Sequence, residues 1–291
     1  MNILPYSLSR VLAFLMLSAS ASWALDGGND VYFTVPSGQT TGWKAFEIIT
    51  DDDTLGGLAV GGFTWDAGNH DDWDGLGAYR QSESVLSVFI NHEVGIDVAN
   101  DIIGSFSRVD LDVAALKDWI ALGIPNNTNS NQVQRPSAVV MSFGLGWSSV
   151  DSASVTTALD NPCSANAWLA NTFGEGRGFA DDLYLLGEEL EAGSIWVMDL
   201  SDNKLYQAVD LGAGRWENAT PIDTGRTDTI ALVISEDRGP VPSDSSPLYL
   251  YVGEKDPAGN FLERNGLSGG KIYYWDCTDL GGAIWHICGD L

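Results

Sequence analysis

Short apolar runs closed by polar or acidic residues recur along this chain. Residues 85–90 (VLSVFI) are almost wholly apolar and stop at Asn91-His92-Glu93. Runs of this length, rich in β-branched and aromatic residues, predict buried strands. The polar triplet then lies where the strand leaves the core. Residues 182–189 (DLYLLGEE) repeat the design with two acids at the end, and residues 229–237 (TIALVISED) repeat it again. Further strand-like runs follow closely, at 193–200 and 205–211 after the second leader and at 248–253 and 270–275 after the third. Strands this close in the chain, joined by tight turns, predict antiparallel meanders.

Helical periodicity is strongest at residues 110–122 (DLDVAALKDWIAL), with apolar residues at 111, 113, 116, 119, 120 and 122. Asp110 or Asp112 serves as N-cap and Gly123-Ile124-Pro125 as the stop. Residues 30–35, 43–49 and 139–143 predict short strands. Residues 61–79 (GGFTWDAGNHDDWDGLGAY) predict a loop, and 148–170 an irregular stretch. In that loop Asp71, Asp72 and Asp74 before Gly75 give hard oxygen donors and a turn glycine, although the EF-hand spacing and its terminal Glu are absent.

The spacing of the acidic ends sets the expected architecture. Glu93 and Glu189 are 96 residues apart, and Glu189 and Glu236 are 47 apart, so one interval is about twice the other. A period in the high forties with several antiparallel strands per unit predicts an all-β chain of propeller blades, with one middle repeat lacking its acid. Each acid-ended run would be the lead strand of its blade, lining a central channel and opening on one face. A β-sandwich with coincidental spacing is the alternative.

Composition narrows the partners. The chain has 291 residues, 40 acidic against 14 basic, and a formal net charge of −26. Such a surface repels nucleic-acid backbones and anionic membranes. It suits divalent cations, and equally the acidic surface of a salt-adapted protein. Residues 1–24 read as a secretory signal: Arg10, an apolar stretch at 11–17, and Ser22-Trp23-Ala24 before the cut. The expectation is a single exported domain over 25–291, periplasmic or secreted, with no membrane segment after cleavage. Of the three cysteines, Cys277 and Cys288 can close a loop near the end, which leaves Cys163 as a free thiol or a ligand.

A ring of Glu93, Glu188, Glu189, Glu236 and Asp237 in a confined channel must raise its pKa values or recruit cations. Hard oxygen donors favour Ca²⁺, Mg²⁺ or Fe³⁺. The Gly-x-Ser-x-Gly elbow and the P-loop are both absent, so metal-assisted hydrolysis is the simplest enzyme reading. Asn91 and His92 are read as supporting Glu93.

These segments also carry a family resemblance. DGLGAY (74–79), VFINHEVG (88–95), LYLLGEEL (183–190), RWENATPIDTG (215–225), ISEDRG (234–239) and PLYLYVGEKD (247–256) resemble, in order, the PhoX-type alkaline phosphatases. The resemblance implies an exported β-propeller that hydrolyses phosphomonoesters at a calcium and ferric iron site, with a small phosphorylated substrate. By motif it implies Glu93, Glu188 or Glu189, and Glu236 or Asp237 as metal ligands, with Asp74 in support. The family's iron-binding Cys stands in a Cys-Ala-Gly-Gly segment shortly before its Cys-Glu-Glu, whereas this chain has Gly187-Glu188-Glu189 and Cys163 further upstream. The last residues (CTDLGGAIWHICGDL) depart from the family pattern, and a truncated remnant with missing blades is one expectation from them. A non-catalytic calcium-binding surface module is the competing function.

Overall fold

The computed structural model describes residues 73–93, 104–122, 138–237, 248–276 and 284–287. The signal segment, the strands expected at 30–35 and 43–49, the acids Asp71 and Asp72, and Cys277 and Cys288 lie outside the described residues. The chain divides into two compact units. One comprises Met1–Gly68, Ala78–Val88 and Arg108–Gly144; the other comprises Asn69–Gly77, Phe89–Ser107 and Leu145–Leu291.

The architecture is all-β, built of three sheets. In the first, β1 (Trp73–Tyr79), β2 (Val85–His92), β3 (Ser105–Asp112) and β4 (Val140–Leu145) lie side by side in chain order. The second holds β5 (Ser149–Val150), β6 (Pro162–Trp168), β7 (Leu183–Glu188), β8 (Ile195–Asp199) and β9 (Lys204–Gln207), in the order β5-β9-β8-β7-β6. β6 to β9 form an antiparallel meander, and the two-residue β5 joins β9 in parallel. The third is an antiparallel meander of β10 (Trp216–Ile222), β11 (Thr229–Glu236), β12 (Leu248–Glu254), β13 (Lys271–Asp276) and β14 (Ile284–Ile287).

The three acid-ended runs are therefore β2, β7 and β11, and each is not a lead strand but the neighbour of an edge strand that precedes it, β1, β6 and β10 respectively. The strands before them fall in stretches whose composition hides them. β1 lies inside the Gly-, Asp- and Trp-rich segment read as a loop, and β6 inside the stretch read as irregular. Gly75 explains β1: a Cβ there would run into the backbone of Cys163, Ser164 and Ala165, so the position must be bare for the strand to lie where it does. No extra sheet separates the first from the second among the described residues. The long Glu93–Glu189 interval instead contains β3, helix α1 (Val113–Leu122) and β4.

In the first unit, α1 starts where Asp112 Oδ1 accepts the Ala115 amide at 2.7 Å, an N-cap that satisfies an otherwise orphaned donor. Val113, Leu116 and Trp119 are its buried stripe. Asp110, the other cap candidate, serves the sheet instead. It accepts from Ser87 Oγ (2.6 Å), Arg108 Nε (2.8 Å) and Ser142 Oγ (2.9 Å), tying β2, β3 and β4 together.

In the second unit, β7 and β8 are buried along their whole length. Leu183 and Leu185 pack with Ile195, Val197, Trp216, Ile230, Leu232 and Ile234. The alternate position, Tyr184, turns to the other face, where its ring lies 4.9 Å from Phe89 and 5.2 Å from Phe106. A strand buried on both faces reads as a continuous apolar run, which is why 183–186 is so uniform. Each such large side chain contributes about 1.5–3 kcal/mol.

Candidate metal centre

Antiparallel pairing brings the start of an edge strand beside the end of its neighbour. Pro162 pairs with Glu188 and Trp216 with Glu236. At the starts of the edge strands β1, β6 and β10, each at the second position, stand Asp74, Cys163 and Glu217. Two of the three sit at β-bulges: the register slips between Pro162 and Ala165 on β6, and between Trp216 and Asn218 on β10. A bulge adds a residue outside the ladder and re-aims its side chain, and bulges concentrate beside functional sites. Asn218 Nδ2 donates to Ser164 Oγ at 2.7 Å, fastening one bulge to the other.

The result is a compact donor group. Cys163 Sγ donates to Asp74 Oδ2 at 2.9 Å and lies 3.6 Å from Glu217 Oε2. Ligand atoms of Cys163, Glu189 and Glu217 all fall within 4.8 Å of one another. The neighbouring strands add a further trio: the Glu189 carboxyl hydrogen-bonds the side chains of Asp237 and Glu93, residues at the ends of β11 and β2. Backbone bonds hold these ends in place, with the Glu189 amide donating to the Asn161 carbonyl (3.1 Å) and the Asp237 amide to the Arg215 carbonyl (2.8 Å).

Electrostatics follow from crowding. Burial, reinforced by Asp237 and Glu93, pushes the Glu189 carboxyl from 4.5 to about 8. Glu217 is raised by burial and then by Asp74, Asp237 and Glu93. Burial and the Asp74 carboxylate drive the Cys163 thiol far above its usual range. Among the described residues, no Lys or Arg forms an ion pair with Cys163, Asp74, Glu189 or Glu217. Two carboxylates 4 Å apart at an effective dielectric of 20 repel by about 4 kcal/mol, so the group must hold protons or take up cations.

Comparison with family models, with curated proteins and with solved structures finds no match to this chain. The site is therefore read from its own donors.

The sequence-selected residues divide cleanly. Glu93, Glu189, Asp237, Cys163 and Asp74 come together. Glu188 and Glu236 are buried elsewhere, at 2% and 6% exposure. Glu188 takes the Asp160 and Ser194 amides on its two oxygens, both at 2.7 Å. Glu236 accepts the Tyr249 hydroxyl at 2.9 Å. Of the buried pair at the end of β2, His92 Nε2 lies 2.6 Å from Ser107 Oγ, and Asn91 bonds the Cys163 carbonyl and the Tyr184 hydroxyl. Glu217 was not singled out from the sequence. Its signal is the Trp-acid pair that opens both β1 and β10, Trp73-Asp74 and Trp216-Glu217.

The converging ligand atoms of Cys163, Glu189 and Glu217 are one thiol and two carboxylates, a mixed donor set of the kind that takes a transition metal. Glu93 and Asp237 add hard oxygen donors beside Glu189, outside that closest group.

Proposed function

We propose that the chain is an exported, metal-dependent phosphomonoesterase of the PhoX type, its three sheets being blades of a β-propeller. The carrying observation is that every sheet supplies one donor from the start of an edge strand and one from just past the end of that strand's neighbour: Asp74 with Glu93, Cys163 with Glu189, and Glu217 with Asp237. Donors far apart in sequence meet this way when meander sheets present the same end to a common face.

Cys163, Asp74, Glu189 and Glu217 would hold iron, and Glu93, Glu189 and Asp237 would hold Ca²⁺. When bound, such cations supply Lewis-acid polarisation of a phosphoryl oxygen. The chain's own groups manage protons. Asp74 Oδ2 accepts from the Cys163 thiol, and Glu189 retains a proton beside Asp237 and Glu93 up to about pH 8. Both protons must leave before these atoms can serve as ligands, so loading is favoured at alkaline pH. The bulges at Cys163 and Glu217 fix the donor spacing ahead of binding.

The test is release of phosphate from p-nitrophenyl phosphate by the full chain loaded with Ca²⁺ and Fe³⁺ at alkaline pH. Release that is lost in Glu217→Gln and Cys163→Ser supports the proposal. Cation uptake without release assigns the chain to calcium binding alone and rejects the enzyme reading.

A further inference from the structure

Asn91 is completely buried at the end of β2, and a buried primary amide needs partners on both its oxygen and its nitrogen. Tyr184 Oη donates to Asn91 Oδ1 at 2.7 Å, and Asn91 Nδ2 donates to the backbone carbonyl of Cys163. The carbonyl, which can only accept, decides which way the amide faces: turned over, Oδ1 would oppose the Cys163 oxygen. Tyr184 is itself completely buried, its ring held against Phe89 and Phe106. Gly77 leaves room for that ring, since a Cβ there would meet Tyr184 Cε2 at 2.5 Å.

The chain of contacts therefore runs from a rigidly packed phenol, through one amide, to the backbone of a bulged residue. Cys163 lies in the register slip of β6, where the ladder no longer dictates the direction of the side chain. Asn91 supplies the constraint that the ladder has given up. We infer that Tyr184 and Asn91 form a positioning relay that aims Cys163 Sγ, and thereby sets its affinity for a transition metal without either residue touching the ion. This rests on the reading of Cys163 as a ligand.

Co²⁺ titration of the full chain separates the two claims, because thiolate ligation gives a sulfur-to-cobalt absorption band. The native chain shows the band and Cys163→Ser lacks it. Tyr184→Phe, which removes one hydroxyl, and Asn91→Asp, which sets an oxygen against the Cys163 carbonyl, both weaken Co²⁺ binding on the order of 10–100-fold, as loss of an outer partner of a ligand does. Their band is diminished while circular dichroism stays native. If Asn91→Asp fails to fold, Tyr184→Phe decides alone. A folded Tyr184→Phe with native affinity and a native band overturns the relay and leaves the ligand reading intact. A native chain without the band overturns both.

Discussion

At Asp110, in the first unit, a guanidinium and two hydroxyls converge on one carboxylate; at Glu189, in the second, two more carboxylates do. The Asp110 environment nets out in favour of charge. Burial alone would raise its pKa, but hydrogen bonds from Arg108, Ser87 and Ser142 and the Arg108 charge outweigh it, so the carboxyl sits below 3.8. The Glu189 environment nets out against charge, lifting it to about 8. Both are acids at sheet positions with restricted solvent. Asp110 has its counter-charge in the sequence two residues away, at Arg108. Glu189 forms no ion pair among the described residues, although Arg215 lies opposite it in the backbone pairing, and an acid left without such a contact is what a site completed from outside would need.

Supplying that missing charge should give the largest effect. Titrating the metal-free chain with Ca²⁺ and Fe³⁺ should stabilise it by about 4 kcal/mol at a thousandfold excess over Kd, read as a rise in melting temperature. Glu189→Gln and Cys163→Ser should abolish most of that rise, and Asp110→Asn should leave it intact. A rise that survives in Glu189→Gln would place the cation elsewhere.

Next in size is the contrast between neighbours. Glu188→Ala strands two amide donors, those of Asp160 and Ser194, and should cost about 2–4 kcal/mol in urea denaturation of the metal-free chain. Glu189→Gln removes a crowded carboxyl and should raise the metal-free melting temperature while ending cation binding. Equal effects of the two substitutions would erase the distinction between fold-holding and ligand-holding acids.

That distinction was beyond the reach of sequence reading, for a physical reason. The apolar runs of β7, β8 and β11 are legible because strands buried in the core read as near-continuous apolar stretches, and the meander follows from their short turns. Adjacent acids at a strand end differ only in the face they take, and the face depends on register. In β6 and β10 a bulge alters it, and nothing in Pro162-Cys163-Ser164 or Trp216-Glu217-Asn218 announces that bulge. β1 was hidden by Gly75 and Gly77, whose bareness answers to Cys163 and Tyr184, 88 and 107 residues further on, and local propensity counts against them in a strand. Reading β2, β7 and β11 as lead strands had the same origin: the strands before them look like loops. One acidic end per sheet is a true regularity, but the doubled interval that suggested a silent middle repeat holds no extra sheet among the described residues.

Asp110→Asn offers a smaller effect than Glu188→Ala. It keeps the shape but weakens the bonds from Arg108, Ser87 and Ser142 from charge-assisted to neutral, a loss of about 1–2 kcal/mol at neutral pH. Arg108 would keep its bond to Gln81 Oε1 at 2.7 Å, so the guanidinium is not stranded. The measurement is the urea midpoint, and an unchanged midpoint would show that the network holds geometry without contributing stability.

Because solvent screens the partly exposed Glu189 carboxyl, the smallest signal is the pH dependence, and it has opposite signs at the two acids. For Asp110 the folded pKa lies below the unfolded value of 3.8. Its contribution is complete above 3.8 and disappears as pH falls through the folded pKa. For Glu189 the folded pKa lies above the unfolded 4.5, at about 8. Between those values the folded chain keeps a proton that the unfolded chain has released, so stability falls as pH rises through the window and levels off above it. Because Asp237 and Glu93 share in that proton, the titration belongs to the trio. In chelator, urea midpoints should decline from about pH 5 to 8 and also fall off below about pH 4. Glu189→Gln should flatten the first slope and leave the second, and Asp110→Asn should do the reverse. Bound Ca²⁺ should cancel the alkaline decline, since a cation replaces the proton. A slope between pH 5 and 8 that persists in Glu189→Gln would assign the titration to another group and leave Glu189 an ordinary surface acid.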